Sequence, residues 1–294
     1  MPIFKIEKLT AKQLRLHQNG FGDEYELRDF FAANLVEILG VRFLEKEYQT
    51  ADGRIDTLGL DENNSPVIIE YKWKENEEVL AQGLFYFAWL KKNKKHFDLL
   101  AASRLGKGTV VNWDQPRVIL IAQGFSNYIK AAVQTLSNVE LKTYSVYEGS
   151  ILHLENEYSP QAEKTSSHKK IGGADSHEKI DYDLNFHLNT TSPEMRKLAN
   201  ELRDRILQLP SVEEKLGQKT GITYRTTKSF TRFEFRKTWI QVLLRNPKYP
   251  EDTAGLVKDI SSNEWGYLGM VKFTPDVGIE QVFNLIMASY KSTL

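Results

Sequence analysis

The chain has 294 residues and a balanced charge, with 39 Lys plus Arg against 39 Asp plus Glu, so its overall charge does not indicate a nucleic-acid partner. It contains no cysteine, which excludes disulfides, thiolate metal sites and cysteine nucleophiles. Its six histidines lack zinc-site spacing, and no apolar run approaches the roughly 20 residues that span a bilayer. The length predicts about two domains. Without a membrane or signal segment, the expected location is the cytoplasm and no membrane partner is expected.

The first part of the chain shows helical and strand periodicities in alternation. The predicted elements are a helix over 23–39, strands over 41–49, 53–60 and 66–73, a helix over 77–92, a strand over 116–122, a helix over 126–136 and a strand over 139–147. The first helix ends where Gly40 stops its apolar pattern. We therefore expect an α/β domain over 1–155, with a mixed central sheet flanked by helices.

Two acids and a lysine stand out in the second and third predicted strands. Side chains alternate along a strand, so Glu70 and Lys72 share one face, and Asp56 can lie opposite Glu70 across the pair. Paired carboxylates hold a hard cation such as Mg²⁺ or Mn²⁺, and a nearby lysine orients or activates the attacking water. The alternative is an ordinary hairpin with a solvated acid and lysine. The apolar run 67–69 before Glu70 argues against it, because a buried acid needs a partner or a metal.

The next predicted helix, 77–92, adds a polar pair. Gln82 and Tyr86 lie four residues apart and hence on one helical face. Such a pair can buttress the lysine or contact a nucleotide. Alternatively, the two residues only flank the core residues of the same helix.

These residues carry a family resemblance. Asp56, then Glu70-Tyr-Lys72, then Gln82-x-x-x-Tyr86 resembles the PD-(D/E)xK nuclease superfamily, and the surrounding sequence is similar to the nuclease domain of NucS-type endonucleases. The resemblance covers about the first half of the chain and implies a restriction-endonuclease-like fold. It implies that Asp56 and Glu70 bind the metal, that Lys72 acts on the water, and that Gln82 and Tyr86 support the lysine and the substrate.

The family often adds an acid from the first helix. Glu24 fits this role best, and Glu26 is its rival. Acids at the start of a helix are also ordinary complements of the helix dipole, so the sequence leaves the choice open.

The resemblance predicts a metal-dependent nuclease that hydrolyses phosphodiester bonds, with DNA as the expected partner and Mg²⁺ or Mn²⁺ as the cofactor. The alternative is a catalytically inactive nuclease fold that binds nucleic acid or regulates a partner. The sequence does not decide between DNA and RNA, or between endo- and exonucleolytic cleavage. A homodimer, and a protein partner bound by the C-terminal domain, also stay open.

The second half is predicted to form a smaller α+β domain. Residues 156–180 have no hydrophobic period and are expected to be a flexible linker before a domain over 181–294. Ser192 and Pro193 start a predicted helix that runs to about residue 209. The other predicted elements are a short helix over 212–216, strands over 222–225, 230–236 and 238–244, and a helix over 278–290. This half resembles an uncharacterised domain of unknown function that is sometimes labelled a predicted transport protein, through segments that start at Tyr224, Ser229, Asp259 and Leu285.

Two groups of basic residues are candidate nucleic-acid contacts. The first is Lys91, Lys92, Lys94 and Lys95, and the second is Arg225, Lys228, Arg232 and Arg236. In the second group, Arg232 and Arg236 share the strand face opposite Phe233 and Phe235. One interpretation is a phosphate-contacting surface. The other is a solvated strand face and, for the lysines, a basic helix end favoured by the dipole.

Overall fold

A computed structural model describes residues 3–17, 20–160, 182–263 and 265–294. The chain divides into two compact units, Met1–Pro160 and Gln161–Leu294. Among the described helices, none combines the length and the apolar character that a membrane crossing needs.

The first unit is built on a six-stranded mixed sheet. Its elements in chain order are β1 (Phe4–Glu7), β2 (Thr10–Gln13), α1 (Glu24–Leu39), β3 (Val41–Thr50), β4 (Gly53–Asp61), β5 (Pro66–Tyr71), α2 (Glu78–Lys92), α3 (Lys94–Leu105), β6 (Arg117–Ala122), α4 (Asn127–Val133), β7 (Val139–Tyr147) and β8 (Ile151–Tyr158). The sheet has the order β3-β4-β5-β6-β7-β8. The central strands β5, β6 and β7 are parallel, and the outer pairings are antiparallel. The predicted mixed sheet flanked by helices is confirmed.

Helices cover both faces of this sheet because β5 and β6 are apolar on both sides. On one face, α1 packs Phe31 and Leu35 against Ile69 and its neighbours. On the other face, α2 contributes Val79 and Leu90 to a second cluster. A strand that is buried on both faces reads as a continuous apolar run, which is why β5 and β6 were predictable from sequence.

Some elements of the first unit differ from the sequence prediction. The hairpin β1–β2, the helix α3 and the strand β8 were not predicted. Strand β5 ends at Tyr71, so Lys72 follows the strand instead of lying inside it. Strand β8 continues to Tyr158, so the predicted domain end at residue 155 falls inside a strand. Most of the predicted linker, residues 161–180, lies outside the described residues, and its flexibility stays a prediction.

The second unit carries helices against an antiparallel sheet. Its elements are α5 (Leu184–Asn189), α6 (Pro193–Leu207), β9 (Glu213–Lys215), β10 (Ile222–Arg225), β11 (Ser229–Phe235), β12 (Ile240–Leu244), β13 (Val257–Asp259), a 3₁₀ turn (Ser261–Asn263), β14 (Gly269–Phe273) and α7 (Ile279–Lys291). The strand order is β13-β14-β12-β11-β10-β9. Ser192 caps α6 by accepting from the Met195 amide at 3.3 Å, as predicted. The helix predicted over 212–216 was wrong, because residues 213–215 pair with β10 as β9.

One glycine in the sheet gives a stability test. A Cβ at Gly59 would lie 2.7 Å from the carbonyl oxygen of Arg42 and would also meet Val41 on the adjacent strand. We expect Gly59→Ala to lower the free energy of unfolding by about 1–3 kcal/mol, because the backbone of β3 must move. The control is Gly108→Ala, since Gly108 faces open space and its change should stay within about 0.5 kcal/mol. Urea denaturation measures both, and equal stability of the two variants would contradict the packing described.

Candidate active site

Asp56 and Glu70 are adjacent at the point where β4 and β5 separate. The ladder of paired residues ends at Thr57 opposite Ile69, and one further step would set Asp56 opposite Glu70. At that step each side chain accepts a hydrogen bond from the other strand. The Asp56 amide donates to Glu70 Oε1 at 3.2 Å, and the Tyr71 amide donates to Asp56 Oδ2 at 3.0 Å. The predicted approach of the two acids is therefore present, and backbone amides fix it.

Both carboxyl groups are withdrawn from solvent. Glu70 is 0% exposed and Asp56 is 8% exposed. Burial raises the pKa of Glu70 well above its usual range, and the negative charge of Asp56 raises it further. Burial also raises the pKa of Asp56, against the effect of the Tyr71 amide and the charge of Lys72. Glu70 Oε2 receives no hydrogen bond from the part of the chain that the structure describes, and the charge of Lys72 only partly offsets the rise in the pKa of Glu70.

Lys72 stands beside the acid pair and is held by the first helix. The Lys72 amide donates to the carbonyl of Ile121 on β6 at 2.8 Å. This bond holds the backbone of Lys72 against β6 just beyond the end of β5. Its ammonium lies 3.0 Å from Glu24 Oε1, and its side chain is only 15% exposed. The other oxygen of Glu24 accepts from the amide of Trp73 at 3.4 Å. Glu24 therefore fixes both the lysine and the backbone that follows it.

The structure distinguishes Glu24 from its rival Glu26. Asp23 caps α1 by accepting from the Glu26 amide at 2.8 Å, and the Glu26 carboxylate accepts from the Gly22 amide at 2.6 Å. The arrangement differs from a capping box, in which the glutamate would accept from the amide of the cap residue Asp23, because Glu26 instead accepts from the residue before the cap. Glu26 is thus engaged at the start of α1, and Glu24 is the first-helix acid that contacts Lys72.

Tyr86 supports the strand that carries Asp56. It is buried, and its hydroxyl accepts from the Arg54 amide at 2.9 Å, two residues before Asp56 on β4. A Cβ at Gly53 would come within 2.7 Å of the same hydroxyl, so the glycine permits this approach. Tyr86 thus positions the strand that carries Asp56, and its support of the lysine and the substrate stays a prediction. Gln82 lies half-buried one turn earlier in α2, and its role stays a prediction.

The sequence analysis missed two arginines at this site. A cleft of about 90 Å³ is lined by Glu24, Tyr25, Arg28, Arg54 and Asp56. Arg28 and Arg54 each place a guanidinium nitrogen 2.8 Å from Glu47 Oε1, so one carboxylate from β3 positions both cations. Spacing could have indicated them: Arg28 follows Glu24 by one helical turn, and Arg54 precedes Asp56 by two strand positions.

The four predicted lysines lie on either side of the junction between α2 and α3. Lys91 and Lys92 end α2, and Lys94 and Lys95 begin α3, all with exposed side chains. Helix α2 starts shortly after Lys72 and has 15 residues, which corresponds to a length of about 22 Å. Lys91 and Lys92 lie at a helix C-terminus, where the dipole favours a cation, whereas Lys94 and Lys95 lie at a helix N-terminus, where it does not. Their role in binding nucleic acid stays a prediction.

The predicted basic face of the second unit was wrong for two of its residues. Arg225 and Arg232 are 2% and 4% exposed, and they lie 3.1 Å from Glu213 and 3.4 Å from Glu234. The strand face opposite the core is therefore covered at these two positions. Neither earlier interpretation, a solvated face or an open phosphate-contacting face, applies to Arg225 and Arg232. Lys228 is half-buried, and Arg236 is exposed but paired with Glu234 at 3.1 Å.

The donor set for a metal is small. Among residues 3–17, 20–160, 182–263 and 265–294, no three His, Cys, Asp or Glu side chains are grouped so that they could hold an ion. Glu24 is engaged with Lys72, which leaves Asp56 and Glu70 as the two candidate ligands.

The segment that carries this geometry is related to a nuclease family. Residues 23–102 match the family described as endonuclease NucS C-terminal domain. The match includes Glu24, both acids of the pair, Lys72 and the polar pair on α2. The resemblance to NucS-type nucleases inferred from the motif is therefore confirmed for this segment.

The chain as a whole is similar to an uncharacterized protein of Haemophilus influenzae, with 25% identity over 305 residues that cover 100% of this chain and 99% of that protein. Two solved structures are also similar. A repair endonuclease from Pyrococcus abyssi has 18% identity and a TM-score of 0.28 and covers 41% of this chain and 46% of its own. An EndoMS–dsDNA2 complex has 15% identity and a TM-score of 0.27 and covers 47% of this chain and 62% of its own. Each match spans less than two thirds of the solved chain, and the similarity is too low to assign site residues.

The raised pKa values predict a pH-dependent stability. An acid with a raised pKa keeps its proton in the folded chain where the unfolded chain has lost it. Its stabilising contribution is therefore present below the unfolded pKa and is lost as the pH rises through the folded pKa. In EDTA we expect Glu70→Gln to be more stable than the natural chain at pH 8 by about 1–3 kcal/mol, with the difference shrinking toward pH 4.

Thermal denaturation across this pH range measures the effect, and the exposed Glu75→Gln is the matched control. If Glu70→Gln were less stable than the natural chain at pH 8, the conclusion that burial raises the pKa of Glu70 would be contradicted.

Proposed function

We propose that the first unit is a metal-dependent nuclease that hydrolyses phosphodiester bonds in DNA. The observation that carries this proposal is the buried pair Asp56 and Glu70 next to Lys72, which Glu24 holds at 3.0 Å, inside a segment that matches an endonuclease family. Two buried acids whose pKa values are both raised are costly for folding, and perturbed pKa values cluster at functional sites. The choice of DNA over RNA follows the family resemblance and is part of what the assay tests.

The residues fit Mg²⁺ or Mn²⁺. Glu70 Oε2 receives no hydrogen bond from the described residues, and Asp56 supplies a second carboxylate on the facing strand. Mg²⁺ is commonly bound through one or two carboxylates, with waters and substrate phosphate oxygens as its other ligands. Asp56 and Glu70 are therefore the proposed ligands, and the positive charge would relieve their repulsion. A bound divalent ion supplies an acidified water and offsets charge on the phosphoryl oxygens.

The other side chains would bind and orient the substrate. Lys72 is the proposed group that orients or activates the attacking water, because it lies beside the acids and its position is fixed by Glu24. Arg54 lines the cleft next to Asp56, where a guanidinium group attracts a phosphate. Arg28 lines the same cleft and adds positive charge, although its own guanidinium is engaged by Asp29 and Glu47. Glu47 keeps both arginines in place, and Tyr86 holds the start of β4.

A cleavage assay tests the proposal. Labelled single-stranded, double-stranded and branched DNA and RNA are incubated with the full chain in Mg²⁺, Mn²⁺ or EDTA. We expect metal-dependent cleavage of DNA that falls by about 100-fold or more in Lys72→Ala, because general acid–base and positioning contributions have this size. The matched control is Lys74→Ala, an exposed lysine two residues further on, which should retain activity. Tight binding without products in every metal would instead support the non-catalytic alternative.

Metal binding can be tested without turnover. We expect isothermal titration calorimetry with Mn²⁺ to give a saturable site that is lost in Asp56→Asn and Glu70→Gln, because each change removes a carboxylate ligand. Glu75→Gln is the control, and it should bind as the natural chain does. Saturable Mn²⁺ binding of equal affinity in the Asp56→Asn and Glu70→Gln chains would place the ion elsewhere and refute these two residues as ligands.

A further inference from the structure

The hairpin of β1 and β2, residues 4–13, is an exposed arm on the first unit. It lies outside residues 23–102, the segment that matches the nuclease family. All of its strand residues are exposed, and its strands form a two-stranded sheet of their own. A hairpin that packs against no other layer is marginally stable in water. The arm therefore has the character of a surface that a partner covers.

The arm extends past the end of β7. Leu16 forms a bridge with Tyr147 in the antiparallel sense, and the Glu148 amide donates to the carbonyl of Arg15 at 2.9 Å. Arg15 also lies 3.9 Å from the Glu148 carboxylate. Because this segment runs opposite to β7, the residues that precede Arg15 continue beyond the carboxyl end of that strand.

That end of β7 belongs to the edge of the sheet that carries the candidate site. Strands β5, β6 and β7 are parallel, so their carboxyl ends lie at one edge. The Tyr144 hydroxyl on β7 donates at 2.9 Å to the carbonyl of Trp73, the residue after Lys72. Tyr147 is three residues further along β7, a distance of about 10 Å. The base of the arm is therefore beside the candidate nuclease site.

The charges of the arm favour an anionic partner. Residues 3–17 contain Lys5, Lys8, Lys12 and Arg15 against the single acid Glu7. Glu7 pairs with Lys5 at 2.6 Å, and neither Lys8 nor Lys12 has an ion pair among the described residues. Lys5 and Lys12 are directly opposite each other on one face, where like charges destabilise a strand pair. An anion bound to this face would relieve that repulsion.

The other face and the tip are apolar. Phe4 and Ile6 are 51% and 77% exposed, and Leu9 in the turn is fully exposed. One possible occupant is a second copy of the chain. A stable protein interface uses about 20–30 residues from each partner, however, and the two strands of the arm have four residues each. The apolar face is therefore too small to hold a dimer together.

Duplex DNA fits both the shape and the charge of the arm. The major groove of B-form DNA, about 12 Å wide, admits a two-stranded β-ribbon, and apolar side chains contact thymine methyl groups there. Lysines contact the phosphates on either side. The major groove of duplex RNA is too deep and narrow for side chains to read.

We propose that the arm enters the major groove of duplex DNA beside the cleavage site. Lys8 and Lys12 would contact phosphates, and Leu9 would contact base edges. The choice of DNA as the partner rests on the proposed function, but binding by the arm requires neither a metal nor cleavage. The two proposals can therefore fail separately.

Fluorescence anisotropy with the full chain in EDTA tests the phosphate contacts. The probes are a labelled DNA duplex, its single strand and an RNA duplex of the same length, between about 50 and 200 mM salt. The variant is Lys8→Gly with Lys12→Gln. Lys8 has φ 54°, a backbone that glycine adopts readily, so the change removes a charge without weakening the turn.

We expect this double variant to bind the DNA duplex about tenfold or more weakly, with the slope of log affinity against log salt reduced by about two. The losses on single-stranded DNA and on duplex RNA should be smaller, because neither offers the groove. The control replaces two exposed lysines elsewhere, Lys107→Gln with Lys291→Gln, and should bind as the natural chain does.

A second variant tests entry into the groove. Leu9→Ser should weaken duplex binding by about threefold or more while the salt slope stays unchanged, because an apolar contact releases no counterion. A purely electrostatic surface would not respond to this change. Val110→Ser is the control, since Val110 is 76% exposed in the same unit. Circular dichroism verifies the fold of every variant.

Three results would overturn the proposal: unchanged duplex affinity in the lysine variant, equal losses on duplex and single strand, or a natural chain that sediments as a dimer and becomes a monomer in Leu9→Ser with DNA binding intact. Cleavage of DNA in Mg²⁺ together with unchanged binding by the lysine variant would reject the arm and keep the nuclease. Weakened binding by the variant of a chain that cleaves nothing would support the arm and reject the nuclease.

Discussion

The burial of two carboxyl groups on adjacent strands is the constraint around which the first unit is organised. Asp56 and Glu70 lie where the pairing of β4 and β5 ends, and each carboxylate accepts a hydrogen bond from a backbone amide of the other strand. Burial penalises the charge of each acid, and the charge of Asp56 adds to that penalty for Glu70. The apolar packing of α1 and α2 on the two faces of the sheet must therefore outweigh the cost of this pair.

Several neighbouring features hold the groups around the acids in position. Glu24 fixes Lys72, Glu47 fixes two arginines, and Tyr86 fixes the first residues of β4. Each support comes from a different element, so the geometry depends on the docking of α1, α2 and β3 onto the central strands. Such preorganisation is what a site needs if its charged groups are to act without reorganising during the reaction.

The central part of this arrangement was predictable from sequence because it depends on local periodicity. The apolar run before Glu70 defines a buried strand, and the period of two places the acid and the lysine together. The choice between Glu24 and Glu26 was not predictable, since both belong to the first turn of α1 and only a distant contact separates them. The same holds for Tyr86, whose partner on β4 is set by tertiary packing.

Other errors have equally physical causes. Helix α3 begins in a run of lysines that resembles the solvated end of α2, and its apolar residues form only a weak stripe. Strands β9 and β13 have three residues each, too few for alternation to be detected. In β11 the alternation of faces was right, but alternation does not reveal whether the second face is covered. Arg232 is buried there and donates hydrogen bonds to Gln218 and Thr223, residues outside its own strand.

The ion pair between Glu24 and Lys72 links the start of α1 to the end of β5, and this has a consequence for partly unfolded chains. Helix ends fray and whole helices detach at lower free energy than a central sheet opens. A molecule whose first helix has come away would keep the acid pair on its strands but lose the anchor of its lysine. If the proposed function holds, such a molecule would keep the two proposed metal ligands in an incomplete centre and would not cleave its substrate until its first helix had docked.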